Sequence, residues 1–145
     1  MKKYQFGFGV WGLALFLLIM VPNLIWFAIP VPNDVLRQES VTPFIDTLAS
    51  IFQVIMIASL CLLKRKDAPR ISIRSKWLWA CTAALMIYFI CWVAYYSGVT
   101  RKLILLSLSV FPCISFITFE IDRKNRIALI PTLAFTALHI TYGLF

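Results

Sequence analysis

Gly7-Phe8-Gly9-Val10-Trp11-Gly12-Leu13-Ala14-Leu15-Phe16-Leu17-Leu18-Ile19-Met20-Val21-Pro22-Asn23-Leu24-Ile25-Trp26-Phe27-Ala28-Ile29 runs for twenty-three residues without a charged side chain. A helix rises about 1.5 Å per residue, so this stretch is long enough to cross the roughly 30 Å of hydrocarbon in a bilayer. Met1-Lys2-Lys3 precedes it, as it would precede a secretory signal. The apolar stretch is longer than the roughly 7–15 residues of a signal core, and no small-x-small cleavage site follows, so a retained helix is expected.

Four further runs have the same character: Phe44 to Leu63, Trp77 to Tyr96, Leu103 to Phe119 and Ile127 to Phe145. The expected fold is an all-α polytopic transmembrane bundle with spans near 7–29, 44–63, 77–96, 103–119 and 127–145, forming one membrane domain over 1–145. The alternating polar residues of a membrane β-barrel are absent. Composition agrees: 61% of residues are hydrophobic and 14% charged, against roughly 45–50% and about 25% in soluble domains. So little charge does not solvate the surface of a globule; a lipid bilayer removes the need.

The net charge is +8. A soluble chain this basic would suggest nucleic-acid binding, but here the Lys and Arg sit in short blocks between apolar runs, and no nucleic-acid partner is expected. With the N-terminus in the cytoplasm, the inner segments hold Lys2, Lys3, Lys64, Arg65, Lys66, Arg70, Arg74, Lys76, Arg123, Lys124 and Arg126. The outer segments hold Arg37, Arg101 and Lys102. Eleven against three is the asymmetry that sets orientation, so the C-terminus is expected outside and the protein in the cell membrane.

Several patterns resemble chemistry and have plainer readings. Gly7-x-Gly9-x-x-Gly12 spells a dinucleotide fingerprint without the strand and βαβ unit it requires; glycines there instead permit close helix approach. Ala80 with Ala84, and Ser109 with Cys113, form small-x-x-x-small pairs of the same use. Cys61, Cys81, Cys91 and Cys113 lie within apolar runs and read as small hydrophobes. A lone His without clustered Cys or carboxylates argues against zinc, and no cofactor is expected. In Thr42-Pro43, Thr42 reads as the N-cap of the second helix and Pro43 as its first residue.

Polar side chains within the spans are costly and carry the functional reading. Asp46, Ser50 and Gln53 are spaced i, i+4, i+7, as are Tyr88, Trp92 and Tyr95, and Thr132, Thr136 and His139, so each set shares a helix face. With Asn23 beside Pro22, four helices place such groups at similar depth, toward the outer side. The prolines Pro22, Pro112 and Pro131 remove backbone donors and can open space between helices. The leading expectation is an outward-facing pocket that binds, senses or transports a small molecule. Asp46 and His139 would anchor it, Asn23 and Gln53 orient it, and Trp92 and Tyr95 wall it. Plainer readings exist for each: Asp46 as a charge favoured by the helix dipole, His139 as a packing residue, the aromatics as an interfacial belt. The rival function is a non-catalytic accessory subunit, with a membrane-protein partner or a second copy of itself. An enzyme ranks last, since neither a nucleophile motif nor a metal motif accompanies Asp46 and His139.

The size, the five-span plan and the aromatic, proline-bearing helices resemble the architecture of the tryptophan-rich sensory protein/translocator family. The early Trp-x-Pro-Pro-type motif of that family is replaced here by Ile29-Pro30-Val31-Pro32-Asn33 and Val41-Thr42-Pro43. The resemblance therefore covers architecture, and no family residue is carried over.

Overall fold

The computed structural model describes residues 4–7, 9–29, 43–65, 72–99 and 101–144. Thr42, read from the sequence as the N-cap of the second helix, lies outside them. The chain forms a short strand β1 (Tyr4–Phe6), helices α1 (Val10–Ala28) and α2 (Pro43–Leu62), a second strand β2 (Leu63–Arg65), and helices α3 (Lys76–Tyr96), α4 (Lys102–Asp122) and α5 (Arg126–Leu144). It is an all-α bundle apart from the antiparallel β1–β2 ribbon, which pairs Tyr4 with Arg65 and Phe6 with Leu63. Helices α1 to α4 are each long and apolar enough to cross a membrane; α5 has a shorter apolar stretch, Arg126–Thr141, among the described residues.

The helices run up and down, so one end gathers the starts of α1, α3 and α5 and the ends of α2 and α4. That end carries the ribbon and most of the described Lys and Arg; it is called the basic end below. Around the bundle α3 packs broadly on α4, α4 on α5 and α5 on α2, whereas α1 touches α2, α3 and α4 more sparingly.

The register of α1 is set by its glycines. Gly7 N–H donates to Leu62 O (2.9 Å) and Gly9 N–H to Cys61 O (2.6 Å). A Cβ built on Gly12 would lie 2.9 Å from the Leu60 carbonyl oxygen, a backbone atom that cannot swing aside. The G-x-G-x-x-G run is thus a close-approach seam between α1 and α2, as its plain reading anticipated.

Helix ends explain the remaining corners. Ser75 caps α3 by accepting from Leu78 N–H (3.3 Å), and Asn125 caps α5 through Ala128 N–H to its Oδ1 (3.2 Å). Helix α3 ends in a Schellman turn: Val99 N–H reaches Ala94 O and Gly98 N–H reaches Tyr95 O, each at 3.0 Å. Helix α4 ends likewise, with Asn125 N–H to Glu120 O (2.9 Å) and Lys124 N–H to Ile121 O (3.1 Å). The left-handed residue is Gly98 (φ 99°) in the first and Lys124 (φ 55°) in the second.

The expected spans match these helices except at two ends. Helix α1 begins at Val10 because Gly7 and Gly9 run alongside the end of α2 instead of entering the helix. Helix α4 continues past Phe119 through Asp122. A hydropathy reading stops at the first carboxylate, but in the bundle Glu120 and Asp122 are both buried.

Candidate functional site

Pro22 interrupts α1 about two thirds of the way along it. Its missing N–H leaves the Leu18 carbonyl without its helical donor and loosens the turn beside it. The adjacent Asn23 turns back on that turn: Nδ2 donates to Ile19 O (3.0 Å) and to Tyr88 Oη of α3 (2.7 Å). Tyr88 in turn donates its hydroxyl proton to Ile19 O at 2.9 Å. The two amide protons of Asn23 and the one phenolic proton of Tyr88 are all used in this triangle, which ties α1 to α3 where direct packing is thin. Tyr88 is 1% exposed, so its hydroxyl is satisfied by protein and not by water.

This triangle forms one wall of a cavity of about 390 Å³ that every helix helps to line. From α1 come Ile19, Met20 and Asn23; from α2, Ala49, Ser50 and Gln53; from α3, Tyr88. Helix α4 contributes Leu108, Pro112, Cys113 and Phe116, and α5 contributes Phe135 and His139. The cavity lies from the middle of the bundle toward the end away from the ribbon. The His139 ring stacks on Phe135, with centroids 4.9 Å apart and planes 18° from parallel. The lining is thus two-sided: amide, hydroxyl and imidazole groups come from α1, α2, α3 and α5, and an apolar surface from α4 with Phe135. The size falls within the roughly 300–1,000 Å³ usual for small-molecule sites.

The residues named from the sequence divide. Asn23, Gln53 and His139 meet at this cavity, joined by Ser50 and Tyr88. Asp46 belongs to the first turn of α2; its side chain lies outside the described residues. Trp92 and Tyr95 do not reach the lining. Both share the buried face of α3 with Tyr88, as their spacing predicts, but the face turns with the helix. Tyr95 is fully buried, edge-on to Trp92 at 5.8 Å. Trp92 instead backs a separate groove of about 440 Å³ between α1 and α3, where Pro22, Ile25, Phe89 and Tyr96 also lie. Thr132, at the lower end of the α5 stripe, is likewise turned away, toward Glu120.

A second polar cluster, which the sequence reading missed, lies at the basic end. Asp122 accepts a hydrogen bond from Ser75 at the start of α3 and another from Arg123 Nε (2.9 Å). Asn125 Nδ2 donates to Leu63 O at 3.1 Å and to Ser59 O at 3.4 Å, closing α5 onto the end of α2 and the start of β2. Tyr4 Oη accepts from Arg126 N–H (3.0 Å), fastening the ribbon to the α4–α5 corner. Deeper in, Thr132 Oγ1 lies 2.6 Å from Glu120 Oε1, and Ser115 Oγ donates to Cys81 O (3.1 Å) between α4 and α3. Extending the helical phase of Cys113 and Phe116 to i+7 and i+4 would have placed Glu120 on the inner face. The four cysteines are free thiols and all buried. Among the described residues no group of three or more His, Cys, Asp or Glu is placed to hold a metal ion.

No family model, curated protein or solved structure matches this chain significantly. The four long apolar helices are compatible with a small integral membrane protein, and what the protein does there has to be argued from the site.

Proposed function

We propose that this is a multi-pass protein of the cell membrane whose inter-helix cavity binds a small molecule. The observation that carries this reading is the cavity's make-up: polar groups from four helices, anchored on the Asn23–Tyr88–Ile19 triangle, opposite an apolar wall from α4. A structural bundle gains nothing by assembling amides and an imidazole around such a space, because unfilled cavities forfeit packing contacts. The ligand of best fit is mostly apolar, with one or two groups that hydrogen-bond to Gln53, Ser50 or His139. The sequence spacing also offers Asp46, four residues before Ser50 and seven before Gln53, as a charged anchor for such a ligand. Trp92 and Tyr95 would act from behind, by holding Tyr88 in place. Binding is the step the cavity supports; sensing or transport would build on it.

The membrane arrangement that goes with this reading has five spans. At about 1.5 Å per residue, the 19 residues of α5 reach as far as the 19 of α1. The Lys and Arg asymmetry puts the ribbon end in the cytoplasm and opens the cavity half toward the outside.

The test is ligand-dependent stabilisation of the purified protein in detergent, screened against a panel of small amphiphiles. A compound that raises the melting temperature of the parent protein should bind at least tenfold more weakly, about 1.4 kcal/mol, to Gln53→Leu and Ser50→Phe. Both changes should leave the ligand-free melting temperature nearly unchanged. Compounds that stabilise parent and both variants equally would reject the cavity as the site. A stoichiometric protein partner, with no compound bound, would favour the accessory-subunit reading instead.

A further inference from the structure

Glu120 lies two residues from the C-terminal end of α4 and is 1% exposed. Its Oε1 is 2.6 Å from Thr132 Oγ1 on α5, and its Oε2 has no hydrogen-bond partner. Thr132, itself fully buried, has a second contact: Oγ1 is 2.8 Å from the Ala128 carbonyl oxygen, one turn back on its own helix. A hydroxyl carries one proton. If Glu120 were a carboxylate, Oε1 and Ala128 O would both be acceptors competing for that proton. A buried anion would then rest on half a hydrogen bond, with its other oxygen bare.

Among the described residues the surroundings offer no compensation: the carboxyl makes no ion pair. On α4, Asp122 is turned to Ser75 and Arg123. On α3, Cys81 is buried and its backbone carbonyl accepts from Ser115 Oγ. Helix α5 has no ionisable residue between Arg126 and His139, and α2 has none between Asp46 and Cys61. A neutral acid resolves the geometry. Glu120 donates to Thr132 Oγ1, Thr132 donates to Ala128 O, and Oε2 becomes an uncharged carbonyl oxygen, far cheaper to leave unpartnered in an apolar interior.

We infer that Glu120 is a proton-binding site inside the bundle, occupied at neutral pH, with the proton held between its carboxyl and the Thr132 hydroxyl. The site is distinct from the cavity and does not rest on its reading as a ligand pocket. It lies one helical turn toward the basic end from Phe116, and Thr132 lies one turn from Phe135. Those two rings form the cavity floor. Water reaches the carboxyl only when this floor or the α4–α5 corner opens, and loss of the proton then leaves a bare charge between the two helices. The proton thus favours the closed packing of α4 on α5.

Infrared difference spectroscopy on the full chain in lipid nanodiscs tests this. Glutamine reproduces the donor and acceptor of a neutral acid, so E120Q should fold and melt like the parent. The parent-minus-E120Q spectrum at pH 7 should show the carbonyl stretch of a protonated carboxyl. The same band should remain in D122N and move to higher frequency in T132V, where the acid's proton loses its acceptor. Carboxylate stretches in the parent-minus-E120Q spectrum at pH 7 would overturn the inference. So would a protonated-carboxyl band that D122N removes, or one that T132V leaves unmoved.

Discussion

At the basic end, Ser75, Asp122, Asn125 and Tyr4 each bond to a different element, and the β-ribbon, α2, α3, α4 and α5 are fastened together there. Half a bundle away, α1 leans on the other helices with little direct packing, and Ser50, Gln53 and His139, the last stacked on Phe135, line a cavity. The difference lies in what each polar group is for. Near the ribbon, side chains close helix ends, which leave backbone groups to be satisfied whatever the function. Around the cavity, the helices are in mid-course and their own backbones are largely satisfied. Polar side chains there are a cost that packing alone does not require. One half is built to hold the topology and the other leaves room, with the Asn23–Tyr88 triangle bracing α1 against α3 in the open half.

The severest way to break this division is at the α1–α2 seam. Gly12→Val places branched carbons where a single Cβ would already lie 2.9 Å from the Leu60 carbonyl oxygen. Overpacking of this kind costs about 1–3 kcal/mol, and the upper half of that range is expected because the obstacle is backbone. Helix α1 should detach while α2 to α5 stay packed. Detergent unfolding should show the loss of stability, and cysteine accessibility along α1 should rise before that along α4. A cooperative loss of the whole bundle would instead make α1 integral to it.

A matched pair of substitutions sharpens the comparison. Asn125→Ala removes the N-cap of α5 and the bond to Leu63 O together, so a cost of about 2 kcal/mol is expected. Tyr88→Phe removes one hydroxyl from the triangle and should cost nearer 1 kcal/mol, the scale of interhelical hydrogen bonds in membranes. Thermal unfolding in one detergent reads both. A larger cost at Tyr88 than at Asn125 would mean that the cavity half carries the fold, reversing the assignment.

The same contrast governs what the sequence could reveal. Long apolar runs dictate helices, so five helices and most of their bounds were legible without contacts. Spacing also put Gln53 and His139 on inner faces, because lipid rejects them. Spacing gives a face but not the seam it meets. Tyr88, Trp92 and Tyr95 share one face, yet only Tyr88 reaches the cavity, because a helix sweeps its face across successive neighbours as it crosses the bundle. Glu120 was hidden by the opposite bias. A carboxylate at the edge of an apolar run reads as the end of a span, and only the α4–α5 packing shows that it is enclosed. Asn125 and Ser75 read as loop residues for a related reason. Their value depends on which helix end lies across from them, and no local pattern records that.

The smallest effects separate backbone conformation from everything else in the two Schellman turns. Gly98 and Lys124 occupy equivalent left-handed positions after α3 and α4. A Cβ at Gly98 would meet nothing within 4 Å, so Gly98→Ala should cost about 1 kcal/mol through backbone strain alone. Lys124→Gly should run the other way. It relieves the left-handed penalty of about 1–2 kcal/mol and adds back the entropy glycine loses on folding, for a net gain of about 0.5 kcal/mol. The Lys124 side chain is exposed, so little packing is lost. If the Lys and Arg asymmetry orients the chain as proposed, lysine at this position has a role apart from stability, because removing a Lys at the basic end weakens that asymmetry. Lys124→Gly is expected to raise the melting temperature slightly while increasing the fraction of chains inserted in the opposite sense, read by impermeant maleimide labelling of a cysteine placed at Ser72. A gain in stability with no change in orientation would leave the strain at Lys124 without that compensation.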